Sequence, residues 1–182
     1  MASIFDTVEW ATGSDYEQYD FVYRDQQIGV SSITTRRYYY ARNQITDSTT
    51  APESDSTNWF GFKQGVDGVD RPHFDFVASY NNQVNTTPRV NVIQFGDGYE
   101  VRRPDGLHSN LLILNLAFDT RSEKEATAIL HFLKERNSIE SFLYTAPNPY
   151  NLEKIFVCRQ WQSTNNFFDN HTVNCVFNEV PN

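Results

Sequence analysis

The stretch "NVIQFGDGYEVRRPDGL", residues 91–107, holds two turn signals around one short polar strand. Gly96-Asp97-Gly98 is the first, and Pro104-Asp105-Gly106 the second. A GxG can cradle a phosphate, and an Asp between glycines can sit in a metal loop. The same residues can equally do no more than close tight β-turns. A dinucleotide fingerprint leads from a strand into a helix. Here a strand leads into another strand, and the next helical pattern starts more than twenty residues later. A calcium loop needs further oxygens at fixed spacings, which Tyr99 and Val101 do not supply. The turn reading is therefore favoured. The glycines permit positive φ in a tight hairpin, and Pro-Asp-Gly makes the next turn. Arg102 and Arg103, beside that second turn, are exposed charges, either solvated or meeting acids on a neighbour.

Outward from this hairpin, the pattern is mainly β. "RVNVIQF" alternates, with Val90, Val92 and either Ile93 or Phe95 expected inward. "HFDFVASY" alternates too, while "NNQVNTTP" reads as loop. After the second turn, "LLILNLAF" is the most apolar run and the best candidate for a central strand. "DTRSEKEATAILHFLKERNS" is the one clear helix. Ser122 with Glu125 forms a capping box. Acids open it and bases close it, matching the helix dipole. Ala126, Ile129, Leu130 and Leu133 make an apolar stripe, and Asn137-Ser138 ends it. "IESFLYTAP" is a strand that stops at Pro147. "EKIFVCRQWQS" and "HTVNCVFNEV" make a terminal hairpin joined by "TNNFFDN". Strands, one helix and strands again define an α+β domain of antiparallel sheet carrying a helix on one face.

Residues 1–62 read as a small aromatic β module, with strands in "YDFVYRD" and "TTRRYYYARN" and a loop at "TDSTTAPESDST". Residues 63–72 are the expected linker, and residues 73–182 the second domain. The chain of 182 residues holds 10 Tyr and 14 Phe, which suits half-buried pleated surfaces.

The formal charge is −8. Residues 1–70 carry 11 acids and 5 bases, net −6, and residues 71–182 carry 12 and 10, net −2. This balance argues against wrapping DNA by phosphate neutralisation, although it lets DNA slide past. Cys158 and Cys175 form no CxxC, so no zinc or redox motif is expected. The two are expected as cross-strand thiols, position 158 facing about 175 across a loop centred near Asn166–Phe167. The histidines have no metal spacing, and no nucleophile or nucleotide motif occurs. No catalytic residue, metal or cofactor is expected. The first residues lack the basic and apolar regions of a signal peptide. No run approaches the ~18 apolar residues of a membrane span, so synthesis in the cytoplasm and no membrane partner are expected.

Several segments in order resemble the phage minor tail protein family. They are "PRVNVIQFGDGYEVRRPDG" at 88–106, "LAF" at 116–118, "SEKEATAILHFL" at 122–133, "IESFLYTAP" at 139–147, "FVCRQW" at 156–161 and "FNEV" at 177–180. The match covers about 110 of 182 residues. The resemblance implies a virion part with a fold of the tail tube type, an antiparallel β-sandwich or barrel with one flanking helix. It implies a homo-hexameric ring that continues the tail tube, with tube protein above, hub or tip proteins below, and DNA passing through the lumen without specific binding. An acidic lumen is the expectation from the net charge. Arg102, Arg103, Arg121 and Arg136 are then expected at subunit contacts or outer solvent. The first 62 residues resemble small carbohydrate-binding modules of the chitin-binding kind, through "YDFVYRD", "YYYAR", Pro52 and Trp59. That resemblance implies an alternative role as an adhesin, with Tyr38, Tyr40 and Trp59 stacking on sugar faces. The opposing reading makes these rings the core of a tiny module.

Overall fold

A computed structural model describes residues 5–27, 34–80 and 82–181. The first part holds β1 (Val8–Glu9), β2 (Ser14–Tyr16), β3 (Phe21–Gln27), β4 (Thr34–Ala41), β5 (Ile45–Ser48), β6 (Trp59–Phe60), β7 (Phe62–Gln64) and β8 (Asp70–Pro72). A four-stranded sheet has the order β1-β3-β4-β6. β1 runs parallel to β3, and the other pairs are antiparallel. The segment read as loop after residue 45 thus contributes β5, which pairs with β2. Residues 63–72, expected as a linker, belong with Phe62 to the antiparallel β7–β8 hairpin.

The second part holds β9 (Gln83–Thr86), β10 (Val90–Gln94), β11 (Glu100–Pro104), β12 (Leu112–Arg121), helix α1 (Glu123–Arg136), β13 (Phe142–Thr145), β14 (Glu153–Phe167) and β15 (Asn170–Glu179). Five of these strands form an antiparallel sheet in the order β13-β14-β15-β12-β9. The expected mainly antiparallel α+β fold is therefore present, and α1 is the only α-helix among the described residues. Three local expectations change. "HFDFVASY" makes no strand, only a bridge from His73 to Leu143, because its rings fill the core instead of extending a sheet. "NNQVNTTP" supplies the edge strand β9, Asn81 lying outside the described residues. The terminal strands run on to Phe167 and resume at Asn170, so the turn is Phe168–Asp169 and not Asn166–Phe167. The interior strand β12 does carry the apolar run, with Leu112, Leu114, Leu116 and Phe118 buried on one side.

Helix α1 forms where its signals place it. The Ser122 hydroxyl accepts from the Glu125 amide at 3.3 Å. Asn137 closes the helix in the left-handed region at φ 44°, a conformation that Asn tolerates better than most residues. The buried face holds Ala126, Ala128, Ile129, Phe132 and Leu133. Leu130 is only partly buried, at the rim of that face. The stripe is thus rotated from the expected one towards Phe132.

One core joins both parts of the chain. Buried residues of the five-stranded sheet and α1 cluster with Phe74, Phe76, Tyr40 and Phe60. The aromatic contacts are mostly edge-on or tilted, such as Phe74 to Phe132 at 5.2 Å and Phe142 to Phe177 at 4.9 Å, the arrangement favoured by ring quadrupoles. The period-two alternation of β4 divides its tyrosines. Tyr40 enters this main core, while Tyr39 and Ala41 enter a smaller one with Tyr16, Val22, Ile45 and Trp59.

Candidate assembly interface

β10 and β11 pair only with each other. Their register runs from Val90 opposite Pro104 to Gln94 opposite Glu100. The Phe95 amide donates to the Tyr99 carbonyl at 2.7 Å, enclosing Gly96-Asp97-Gly98 as one tight turn. Asp97 at φ 66° and Gly98 at φ 81° lie in the left-handed region. Glycine enters it freely, and Asp is among the few side chains that do so at low cost. At the base, the Arg89 amide donates to Ser109 O at 2.7 Å and the Asp105 amide to Arg89 O at 3.0 Å. Pro104-Asp105-Gly106 thus turns the chain back towards β12, Gly106 standing at φ 87°. The turn reading of residues 91–107 describes the geometry. Among the described residues, no group of three or more His, Cys, Asp or Glu is placed to hold a metal.

The ribbon has no core. Every residue of β10 and β11 is exposed. Val90, Val92 and Ile93 were expected inward, with Phe95 the alternative to Ile93; no sheet or helix of the described chain lies beside them to cover them. Val92 and Ile93 are 45% and 43% exposed, and Phe95 and Tyr99 at the turn 56% and 75%. Pleating puts Val90, Val92 and Arg102 on one face, and Ile93, Val101 and Arg103 on the other. Both faces therefore show apolar side chains to solvent. An isolated two-stranded ribbon is marginal in water, and apolar surface of this kind marks an interaction site. The sequence signal was the occurrence of apolar residues at both parities, 90 and 92 with 93 and 95, which no strand with one solvated face needs.

The four arginines expected at contacts or outer solvent divide. Arg102 forms an ion pair with Glu100 of its own ribbon, and its side chain is otherwise exposed. Arg103 is exposed beside it. Arg121 and Arg136, expected at contacts or outer solvent, are spent inside the subunit. Arg121 donates to Glu125 at 3.0 Å and to Val77 O at 2.7 Å. Arg136 is buried and donates to Glu140 at 2.6 Å.

The candidate sugar-stacking rings do not converge on a surface. Tyr40 and Trp59 are 0% and 1% exposed, so neither offers a face to a ligand. Trp59 meets Tyr16 edge-on at 5.1 Å. Tyr38 is partly buried against His131, ring centroids 4.9 Å apart. These rings make cores, for the reason that a small module has little else to bury.

The buried histidines are structural partners. Burial pushes His131 down to about 4, with Arg136 and Lys134 adding to the effect. Burial likewise pushes His73 down to about 4, helped by Lys63 and opposed by Glu153. The cysteines approach each other, although out of the expected register. Cys158 faces Phe177 and Cys175 faces Trp161, because the turn lies two residues later than expected, a shift that bulges at Arg159 and Asn166 in β14 only partly offset. The hydrogen bond with Cys175 lowers the Cys158 thiol, and burial raises that of Cys175. Both are free thiols.

Residues 72–181 match the sequence model of a family described as phage minor tail protein. Over 80 residues the chain is 38% identical to tail tip protein M of Escherichia phage lambda, a stretch covering 44% of this chain and 72% of that protein.

Proposed function

From a chain that belongs to the phage minor tail protein family, and hence to the tail of the virion, we propose a subunit of a hexameric ring at the tail tip or baseplate. The ring continues the tail tube, meets tube protein above and hub or tip proteins below, and encloses the DNA channel. The coarser role, a structural component of the tail, follows from the family itself. The role is structural and not catalytic. The first 62 residues serve as a module that docks against a neighbouring tail protein, and residues 73–182 carry the ring.

The observation that carries the reading is the β10–β11 ribbon. It projects apolar side chains from both faces and has no core of its own. A neighbour in a ring supplies that cover, and a contact between unlike surfaces closes by rotation. The exposed Arg103 and the Glu100–Arg102 pair then set the register of the contact. The adhesin alternative needs exposed rings, and Tyr40 and Trp59 are buried.

The test is assembly. The purified protein, mixed with the tube and tip proteins of the same phage, is expected to form rings visible by electron microscopy. A protein that stays monomeric beside those partners would refute the reading.

A further inference from the structure

The two faces of the β10–β11 ribbon are not alike. Val90 and Val92 share one face with the Glu100–Arg102 pair, whose charges answer each other. Ile93, Val101 and Arg103 lie on the other face. Phe95 and Tyr99 extend that second face, because the bond between them continues the ladder. It is thus an apolar stripe with one cation, and Arg103 forms no ion pair among the described residues.

The ribbon stands before Leu112, the first residue of β12. At the other end of that strand, Arg121 leads into the capped start of α1. A depression of about 670 Å³ opens there. The half-buried rings of Tyr19 and Phe21 wall one side of it, and Thr127 of α1 lines the other. Asp169, also on its wall, directly follows Phe167 and Phe168, which are 71% and 94% exposed. Apolar side chains this exposed mark an interaction site.

The charges of this depression are unbalanced. Asp20, Glu123 and Asp169 line it, and Glu17 stands beside them. Lys124 is the one cation on the wall, and Glu17 and Asp20 share it. The Asp169 carboxylate accepts from the Glu123 amide at 2.7 Å, which suits a helix start but brings no cationic side chain. Other depressions of the described surface differ. The one at the tip of the β7–β8 hairpin holds Asp67, Glu153 and Glu179, and each has its own cation, in Arg71, Lys63 and Lys154. The one beside Phe74 and Tyr144 has a single acid, Asp75, which Arg42 answers. The one at the base of the ribbon holds Arg89 and Arg159 against Glu179 alone. The one on the outward face of the five-stranded sheet has no charge.

We propose that this depression receives the Ile93–Val101 face of the ribbon from a second copy of the chain, with Arg103 meeting Glu123 and Asp169. The proposal rests on the ring reading above and names the surface that covers the ribbon. A chain cannot fill its own depression. Strand β12 is ten residues long, about 30 Å at the ordinary strand rise, and the five-residue strands of the ribbon reach only about 17 Å. A projection at one end of a subunit and a recess at the other repeat head to tail, the kind of contact that rotation closes into a ring. The wall that carries Tyr19 and Phe21 lies outside residues 72–181, which match the family model. The contact therefore joins the first part of the chain to the assembly.

The experiment uses the whole chain, assembled with the tube and tip proteins of the same phage. Unsubstituted protein that forms no ring refutes the ring reading and this proposal together. With rings present, Arg103→Glu alone and Glu123→Arg alone are each expected to lower the ring yield on the order of tenfold at low salt, since like charges then face each other. Their monomers are expected to melt within a few degrees of the unsubstituted protein. The double reversal, Arg103→Glu with Glu123→Arg, is expected to recover most of the yield. A double variant no better than either single one overturns the proposal and leaves the ring standing. A cysteine pair gives a second reading. Rings carrying Phe95→Cys with Thr127→Cys, treated with copper phenanthroline in air, are expected to yield covalent multimers, and either substitution alone only monomers. Monomers from the pair, or an equal ladder from a single variant, would place the ribbon elsewhere and overturn the proposal.

Discussion

The Tyr40 hydroxyl lies 2.9 Å from Nδ1 of His131, tying strand β4 to helix α1 across 91 positions of sequence. Both side chains are buried. Burial raises the phenol well above its usual range, so it keeps its proton and donates it to the ring nitrogen. The other ring nitrogen then carries hydrogen and faces Glu135 at 3.9 Å. Phe21 stacks on the imidazole at 4.3 Å. Replacing Tyr40 by Phe removes the donor and leaves a buried acceptor unpaired. A loss of about 1–3 kcal/mol is expected in urea unfolding, and unchanged stability would show that the pair contributes nothing.

Stability should fall in mild acid. His131 and His73 titrate near 4 in the folded protein, against about 6.5 when unfolded. Between these values the unfolded chain binds more protons, so stability is complete above about pH 6.5 and declines as pH drops towards 4. Unfolding curves at pH 7 and pH 5 measure the slope. His131→Gln should flatten it by at most about 1.4 kcal/mol per pH unit, the worth of one proton.

The rotated stripe of α1 orders two substitutions. Leu133 is fully buried, and its change to Ala should cost on the order of 2–5 kcal/mol by leaving a cavity. Leu130 lies at the rim and should cost less. A larger loss at Leu130 than at Leu133 in thermal unfolding would place the helix on the wrong face.

The shared core predicts one unfolding transition for the whole chain. Tyr40 and Phe60 from the first 62 residues pack with Phe76 and Phe132 from the rest. Calorimetry is expected to show a single cooperative peak. Two separated peaks would mean that the parts fold independently.

Assembly should separate from folding at the ribbon. Ile93→Asp with Val101→Asp, or Arg102→Glu with Arg103→Glu, alters side chains that touch no core. The expected monomer keeps its melting temperature within the small changes usual for surface sites and fails to enter the ring. Rings of normal yield would remove the ribbon from the contact.

Thiol labelling of denatured particles without reductant should find two reactive cysteines per chain, as the buried free pair requires. Finding none would indicate a disulfide formed after release from a reducing compartment.

Local chemistry was legible in the sequence wherever neighbours in the chain decide it. Ser122 with Glu125, the bases of the last turn and Asn137 specified α1 within a residue, because capping and dipole effects act over one turn. Gly98 and Gly106 announced their turns because the backbone there needs positive φ. The alternation of β12 set which residues it buries. What lies across space was not legible. Nothing local tells Tyr40 that His131 will be its partner, and the chitin-binding-like motif gave Tyr40 and Trp59 a surface, where the main core took the first and the smaller core the second. The slip of the cysteine register came from a turn two residues later than its polar composition suggested, partly offset by bulges at Arg159 and Asn166, inserted residues that alternation cannot reveal. Val92 and Ile93 show the limit most plainly. Their apolarity asks for burial, but burial depends on what stands opposite. Only the tertiary structure decided that, within one subunit, nothing does.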